Sequence, residues 1–126
     1  MSAAARRTLL RSLAPLALMG LIFYLSSQQA DLEVAWWEPI ARKLGHISGY
    51  AALTLAWAWA LRGAVSNPIA VAVAISLAYA CTDEYHQSFV ETRHGTPVDV
   101  GIDAIGIALA ALWISRARSR RRLARA

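Results

Sequence analysis

The sequence predicts an all-α fold, a four-helix transmembrane bundle, on three observations. Of its 126 residues, 57% are hydrophobic and 17% charged, where an ordinary soluble domain carries about 25% charged residues; mean hydropathy is +0.39. Residues 12–30, 44–61 and 63–82 contain no Asp, Glu, Lys or Arg, and each run approaches the ~20 residues that carry a helix through the hydrocarbon layer. Residues 98–114 form a fourth apolar run, interrupted by Asp99 and Asp103 and followed by Arg116, Arg118, Arg120, Arg121, Arg122 and Arg125. The length suits one domain, and the composition argues against a soluble enzyme.

The first helix is expected at about residues 9–28. Its start, with Arg6, Arg7 and Arg11, has the look of the basic region of a secretory or twin-arginine signal. The apolar stretch is long for such a segment, however, and Ser26, Ser27, Gln28, Gln29 makes a poor cleavage site, so the helix is read as retained. Residues 31–43 are expected to form a short helix on the outer surface, bent or interrupted by Pro39. The second helix follows at about 44–61 and the third at about 67–87, with Pro68 near its start, where a missing N–H costs little. Pro97 plays the same part for the fourth, at about 98–115. Trp36, Trp37, Trp57, Trp59 and Trp113 fall near expected membrane interfaces. Residues 1–115 thus form the membrane domain and residues 116–126 a basic tail.

Charge sets the expected orientation. The N-terminal segment, the turn at Arg62 and the tail together hold ten Arg, while the opposite loops hold Arg42, Lys43 and Arg93. The positive-inside rule then places both termini in the cytoplasm and the protein in the inner (cytoplasmic) membrane as a multi-pass chain. A basic tail also raises nucleic acid as a partner. No aromatic residues interleave this one and no nucleic-acid motif precedes it, so none is expected. The lone Cys81 forms no internal disulfide and is assigned to packing.

Acidic groups inside apolar helices are costly, about 2.5–3.5 kcal/mol each near the bilayer centre, and mark functional candidates. Asp99, Asp103, Gly106 and Ala110 share one stripe of the fourth helix, which reads as a polar pocket above a close helix contact. On the second helix Lys43, His46, Tyr50 and Leu53 follow the spacing of one face, while Gly45, Gly49, Ala52 and Ala56 form nearly the opposite, small-residue face suited to helix approach. At the end of the third helix Asp83 and Gln87 share a face, flanked by Glu84 and His86, and the loop after it brings Glu91, Arg93 and His94. Alternation of the spans sets these residues at the outward ends of helices two to four, where they form one polar cluster.

The two motif blocks resemble the VanZ-like family, whose founding member is associated with teicoplanin resistance. Lys43, His46, Tyr50 and Leu53 match its Lys-x2-His-x3-Tyr-x2-Leu pattern at the head of a membrane helix. In AYACTDEYHQSFVETRHGTPVDVGIDAIG, the residues Asp83, Glu84, Gln87, Phe89, Arg93, Asp99 and Gly106 fall at family positions. Glu91 and Thr92 stand where the family commonly has Pro-Gly, Asp103 where Asn is frequent, and Ala110 in place of a late Gly. The resemblance implies a small multi-spanning envelope protein that lowers teicoplanin susceptibility.

The residues fit several functions. The first is an outward-facing site that binds or processes a lipid-linked cell-wall precursor or a glycopeptide at the bilayer surface. Asp83 or Glu84 would then be the general base, His46 the proton carrier and Asp99 a further acid of the catalytic set. Lys43 and Arg93 would hold a phosphate or carboxylate, with Tyr50, Gln87 and Asp103 completing the binding set. No serine nucleophile motif is present. The second is a non-catalytic envelope scaffold whose polar cluster is a structural interhelical network. A metal centre drawn from His46, Asp83, Glu84, His86 or Asp99 ranks lower, because no tight His-Glu-x2-His spacing exists and Glu84 and His86 point about 160° apart on a helix; no metal ligands and no cofactor are assigned. A transporter ranks last, for want of Gly- or Pro-broken spans. The sequence assigns no oligomeric state.

Overall fold

The computed structural model describes residues 1–28, 35–91, 93 and 95–125. Four helices run in chain order: α1 (Ala3–Ser26), α2 (Glu38–Ala60), α3 (Pro68–Gln87) and α4 (Pro97–Leu123). Among the described residues there is no strand, only an isolated bridge between Arg62 and Val65 in the turn joining α2 to α3. Gly63 supplies the one positive φ of that turn, 77°, a conformation that glycine adopts without steric cost.

The helix starts are written locally. The Ser2 side chain accepts from the Ala5 backbone N–H at 3.1 Å, that of Asn67 from Ala70 at 3.2 Å and that of Thr96 from Asp99 at 3.3 Å, so each cap satisfies a donor the helix leaves free. Proline occupies the first turn of α2, α3 and α4, where its missing N–H removes no intrahelical bond.

Three boundaries differ from the sequence expectation, the first being that α1 begins at Ala3 and not near residue 9. Glu38 to Lys43 form no separate surface helix: they are the first turns of α2, and Pro39 opens that helix instead of interrupting it. The 31–34 part of the expected surface helix lies outside the described residues. At the other end α4 does not stop near residue 115 but runs through the arginines to Leu123. Three arginines in its last turn face the negative end of the helix dipole, which favours continuation.

Helix α2 is the axis of the bundle. It packs against all three other helices, most extensively α4, while α1 leans chiefly on α2. The core is small: Tyr50, Leu53, Ala80 and Ile107 form one buried cluster, and Ala58, Ala72 and Ile114 another. Between helices α2 and α3 the buried Thr54 hydroxyl bonds Ser76 at 3.1 Å and the Tyr50 carbonyl at 2.8 Å, so these core polar groups are satisfied.

A close backbone contact between α4 and α2 is made at Gly106, where an added Cβ would stand 2.9 Å from the carbonyl carbon of Ile47. The small-residue face of α2 behaves otherwise. A Cβ on Gly45 would meet nothing within 4 Å, and one on Gly49 would meet only the Ile22 side chain at 3.9 Å. Small residues at this spacing permit close approach but do not compel it. Here α1 stays far enough away to leave a groove.

The exterior is apolar. On α1 only Pro15 and Ser26 are buried, while Leu9, Leu13, Leu16, Leu21 and Leu25 are exposed; Ile105, Leu109, Leu112 and Trp113 are exposed on α4. These two helices are long and apolar enough to cross a membrane. The ionisable residues of α2 and α3 lie instead toward the ends where those helices meet α4.

Candidate functional site

The start of α2, the end of α3 and the start of α4 converge, and the end of α1 joins them. One polar group centres on Asp83, which is buried at 2% exposure. Its Oδ2 accepts from the Ser26 hydroxyl at 2.9 Å, the Gln87 amide at 3.2 Å and the Tyr50 hydroxyl at 3.3 Å. Three helices are thereby tied to one carboxylate oxygen. Tyr50 reaches it because the 3, 4 spacing along α2 stacks Lys43, His46 and Tyr50 on one side, and Gln87 because it lies one turn beyond Asp83.

A second group joins α2 to α4. His46 Nδ1 lies 2.8 Å from Asp103 Oδ1, and the Asp103 carboxylate is fully buried. Glu84, 5% exposed, stands beside this pair with both carboxylate oxygens buried and without a hydrogen-bond partner, as is Asp103 Oδ2. Donor atoms of His46, Glu84 and Asp103, one from each, all lie within 4.8 Å of one another.

These groups border a cavity of about 300 Å³ lined by Arg42, Lys43, His46, Glu84, Gln87, Arg93 and Asp99, closed by Pro39 and Ile102. A neighbouring cavity of about 290 Å³ occupies the groove between α1 and α2; Ile22, Leu25, Gly45, Gly49 and Tyr50 line it together with Ser26. Arg42, His46 and Arg93 line both. Burial of the Arg93 guanidinium in the loop before α4 lowers its pKa; Arg42 acts in the same direction and Asp83 and Glu84 against it. Its Nε is buried without a hydrogen-bond partner among the described residues.

The structure therefore brings together most of the residues the sequence singled out, but divides their work. Asp83, Tyr50 and Gln87 bond to one another, and His46 pairs with Asp103. Glu84 faces the polar cavity, Arg93 borders both cavities, and Lys43 is exposed on the polar rim. Asp99 also reaches the polar cavity, yet its Oδ2 accepts the Thr96 hydroxyl at 2.7 Å, so part of its role is to hold the Thr96 side chain that caps α4. His86 lies apart, stacked on Phe23 of α1 with ring centroids 4.4 Å apart; His94 is outside the described residues. Two contributors were missed by the sequence reading, Ser26 and Arg42. Alternation of the helices held the signal for Ser26, because the end of α1 must lie at the same level as the end of α3.

The family model described as VanZ/LLP1 matches residues 12–118, most of the chain. No curated protein and no solved structure matches it.

Proposed function

The chain belongs to the VanZ/LLP1 family, and from that premise we propose that it is a four-span protein of the inner membrane whose polar hollow opens outward and receives the head group of a lipid-linked cell-wall precursor. Membership and the two long apolar helices point to a membrane protein. The arginine distribution supports cytoplasmic termini. In that orientation the hollow lies at the outer leaflet.

The observation that carries the reading is the pair of adjoining cavities. One is polar, one is mainly apolar, and Arg42, His46 and Arg93 stand between them. An amphiphile with an acyl or prenyl chain and an anionic head matches this division. The chain lies in the groove between α1 and α2, and its phosphate meets the two guanidiniums, which favour such oxygens geometrically. Occupation of the precursor at this point lowers teicoplanin susceptibility. Where turnover follows binding, Glu84 is better disposed as the base than Asp83: its oxygens are free, whereas Asp83 holds three helices together. That bonding of Asp83 favours, for this residue alone, the alternative of a structural network.

Binding of a polyprenyl-pyrophosphate-linked precursor to the protein in nanodiscs tests the proposal. Arg93→Ala is expected to weaken binding by about tenfold, the worth of a charge-assisted bond, and Gly49→Leu to weaken it by filling the apolar groove. Cells carrying either variant at normal membrane abundance lose the change in teicoplanin susceptibility. Wild-type affinity in both variants removes the proposal.

A further inference from the structure

We infer that His46, Glu84 and Asp103 form a binding site for one divalent transition-metal ion, of the zinc or manganese kind. The inference goes beyond the lipid-binding proposal and does not depend on it.

The first ground is geometry. One donor atom from each residue lies within 4.8 Å of the other two, and the three residues come from three different helices, so the tertiary packing itself assembles them. His46 Nδ1 and Asp103 Oδ1 are 2.8 Å apart. Two donors held about 2.1 Å from one ion stand about 3.0 Å apart in octahedral and about 3.4 Å apart in tetrahedral coordination, so this pair has only to open by a few tenths of an ångström to admit one. The Glu84 carboxyl, whose donor lies within 4.8 Å of the other two, has to close on the same point.

The second ground is independent of spacing. Glu84 is 5% exposed and Asp103 0%, yet among the described residues both oxygens of Glu84 and Oδ2 of Asp103 have no hydrogen-bond partner. A buried carboxylate left this way is expensive, and buried charges are normally paired or bound to metal. The local balance is also acidic, because Asp83, Glu84 and Asp103 are buried together. Among the described residues the ion pairs are Arg42 with Glu38 and His46 with Asp103; neither arginine of the cavity closes on Glu84. A divalent ion supplies the missing charge and takes the free oxygens.

The donor set selects the ion. One imidazole with two carboxylates suits zinc or manganese better than magnesium or calcium, which prefer oxygen alone. The ion replaces the proton shared by His46 and Asp103, so binding releases protons. The polar cavity beside the site leaves room for water or a ligand oxygen on the remaining positions, the arrangement of an open rather than a structural site.

The test uses the full chain, purified in detergent, stripped of metal and dialysed against Zn²⁺ or Mn²⁺. The expected result is about one bound equivalent per chain by elemental analysis and a raised Tm, since an ion that binds the folded state stabilises it. Glu84→Gln is the decisive variant: among the described residues the Glu84 carboxylate makes no hydrogen bond, so the amide removes no bond seen there. Its metal-free Tm should stay the same or rise, since a costly buried charge is removed, while its affinity for the ion falls by at least about tenfold. His46→Gln should lose the ion as well, and Asp99→Asn should keep it. A wild-type chain that takes up neither ion, or a Glu84→Gln variant that binds as the wild type does, overturns the inference. Retained metal binding in Arg93→Ala alongside lost precursor binding would separate this site from the proposed lipid site.

Discussion

Gly106 of α4 lies against the backbone of Ile47 in α2, with no room for a Cβ between them. The contact sets the chemistry nearby, because Ile47 adjoins His46 in sequence and Gly106 sits three residues, nearly one turn, beyond Asp103. Backbone approach at this point is what brings Asp103 Oδ1 within 2.8 Å of His46 Nδ1. Packing and site are one arrangement.

Gly106→Ala therefore cannot be absorbed by side-chain rotation, since the added methyl meets main chain. The expected cost is about 1–3 kcal/mol, the usual penalty of overpacking, read as a lower Tm in detergent. Gly49→Ala is the control: its Cβ would meet Ile22 at an ordinary 3.9 Å, so the change stays within about 0.5 kcal/mol or is slightly favourable through helix propensity. Equal melting of the two variants would contradict the close contact.

Removing one member of the His46–Asp103 pair strands the other. His46→Ala leaves Asp103 buried with neither oxygen bonded, at an expected cost of about 2–3 kcal/mol. In a double-mutant cycle with Asp103→Ala the two residues should couple by about 1–3 kcal/mol. Additive losses would mean that the pair makes no energetic contact.

Ser26 anchors the end of α1 by donating to Asp83 at 2.9 Å, and a hydrogen bond to a charged group is worth about 1.5–3 kcal/mol. Ser26→Ala should lower stability by that order and loosen the last turn of α1, seen as faster hydrogen exchange at Phe23 to Ser27. Unchanged exchange there would show that α1 is held by its apolar contacts alone.

The orientation is tested with single cysteines in a Cys81→Ser background, since Cys81 is exposed. Ser2→Cys and Arg125→Cys should resist a membrane-impermeant maleimide in intact cells, and Glu91→Cys should react. The reverse pattern would invert the assignment drawn from the arginines.

The positions of the four helices were legible in the sequence, because apolar runs near the length of a membrane crossing and local capping residues act over short distances. The stripe from Asp99 to Ala110 was legible too, since helical periodicity alone puts Gly106 below the acids, and the structure gives it the backbone contact that stripe implied. Pro39 was misread because its cost depends on whether it lies inside a helix or at its first turn. The glycine face of α2 was ambiguous for a similar reason: a missing side chain permits contact, or leaves a groove, depending on where the neighbouring helix settles.

By itself the sequence determined which residues are polar and which of them share a helix face, for these follow from chain order and a fixed helical repeat. Only the tertiary structure decided how the carboxylates divide their labour. Asp83 is spent on Ser26, Tyr50 and Gln87, Asp103 on His46, and Glu84 is left free. The physical reason is that hydrogen bonding discriminates on the scale of tenths of an ångström, whereas a sequence pattern places a side chain only to within a helix face. Rotation and approach of neighbouring helices, fixed here by Gly106 against Ile47, supply the remaining precision.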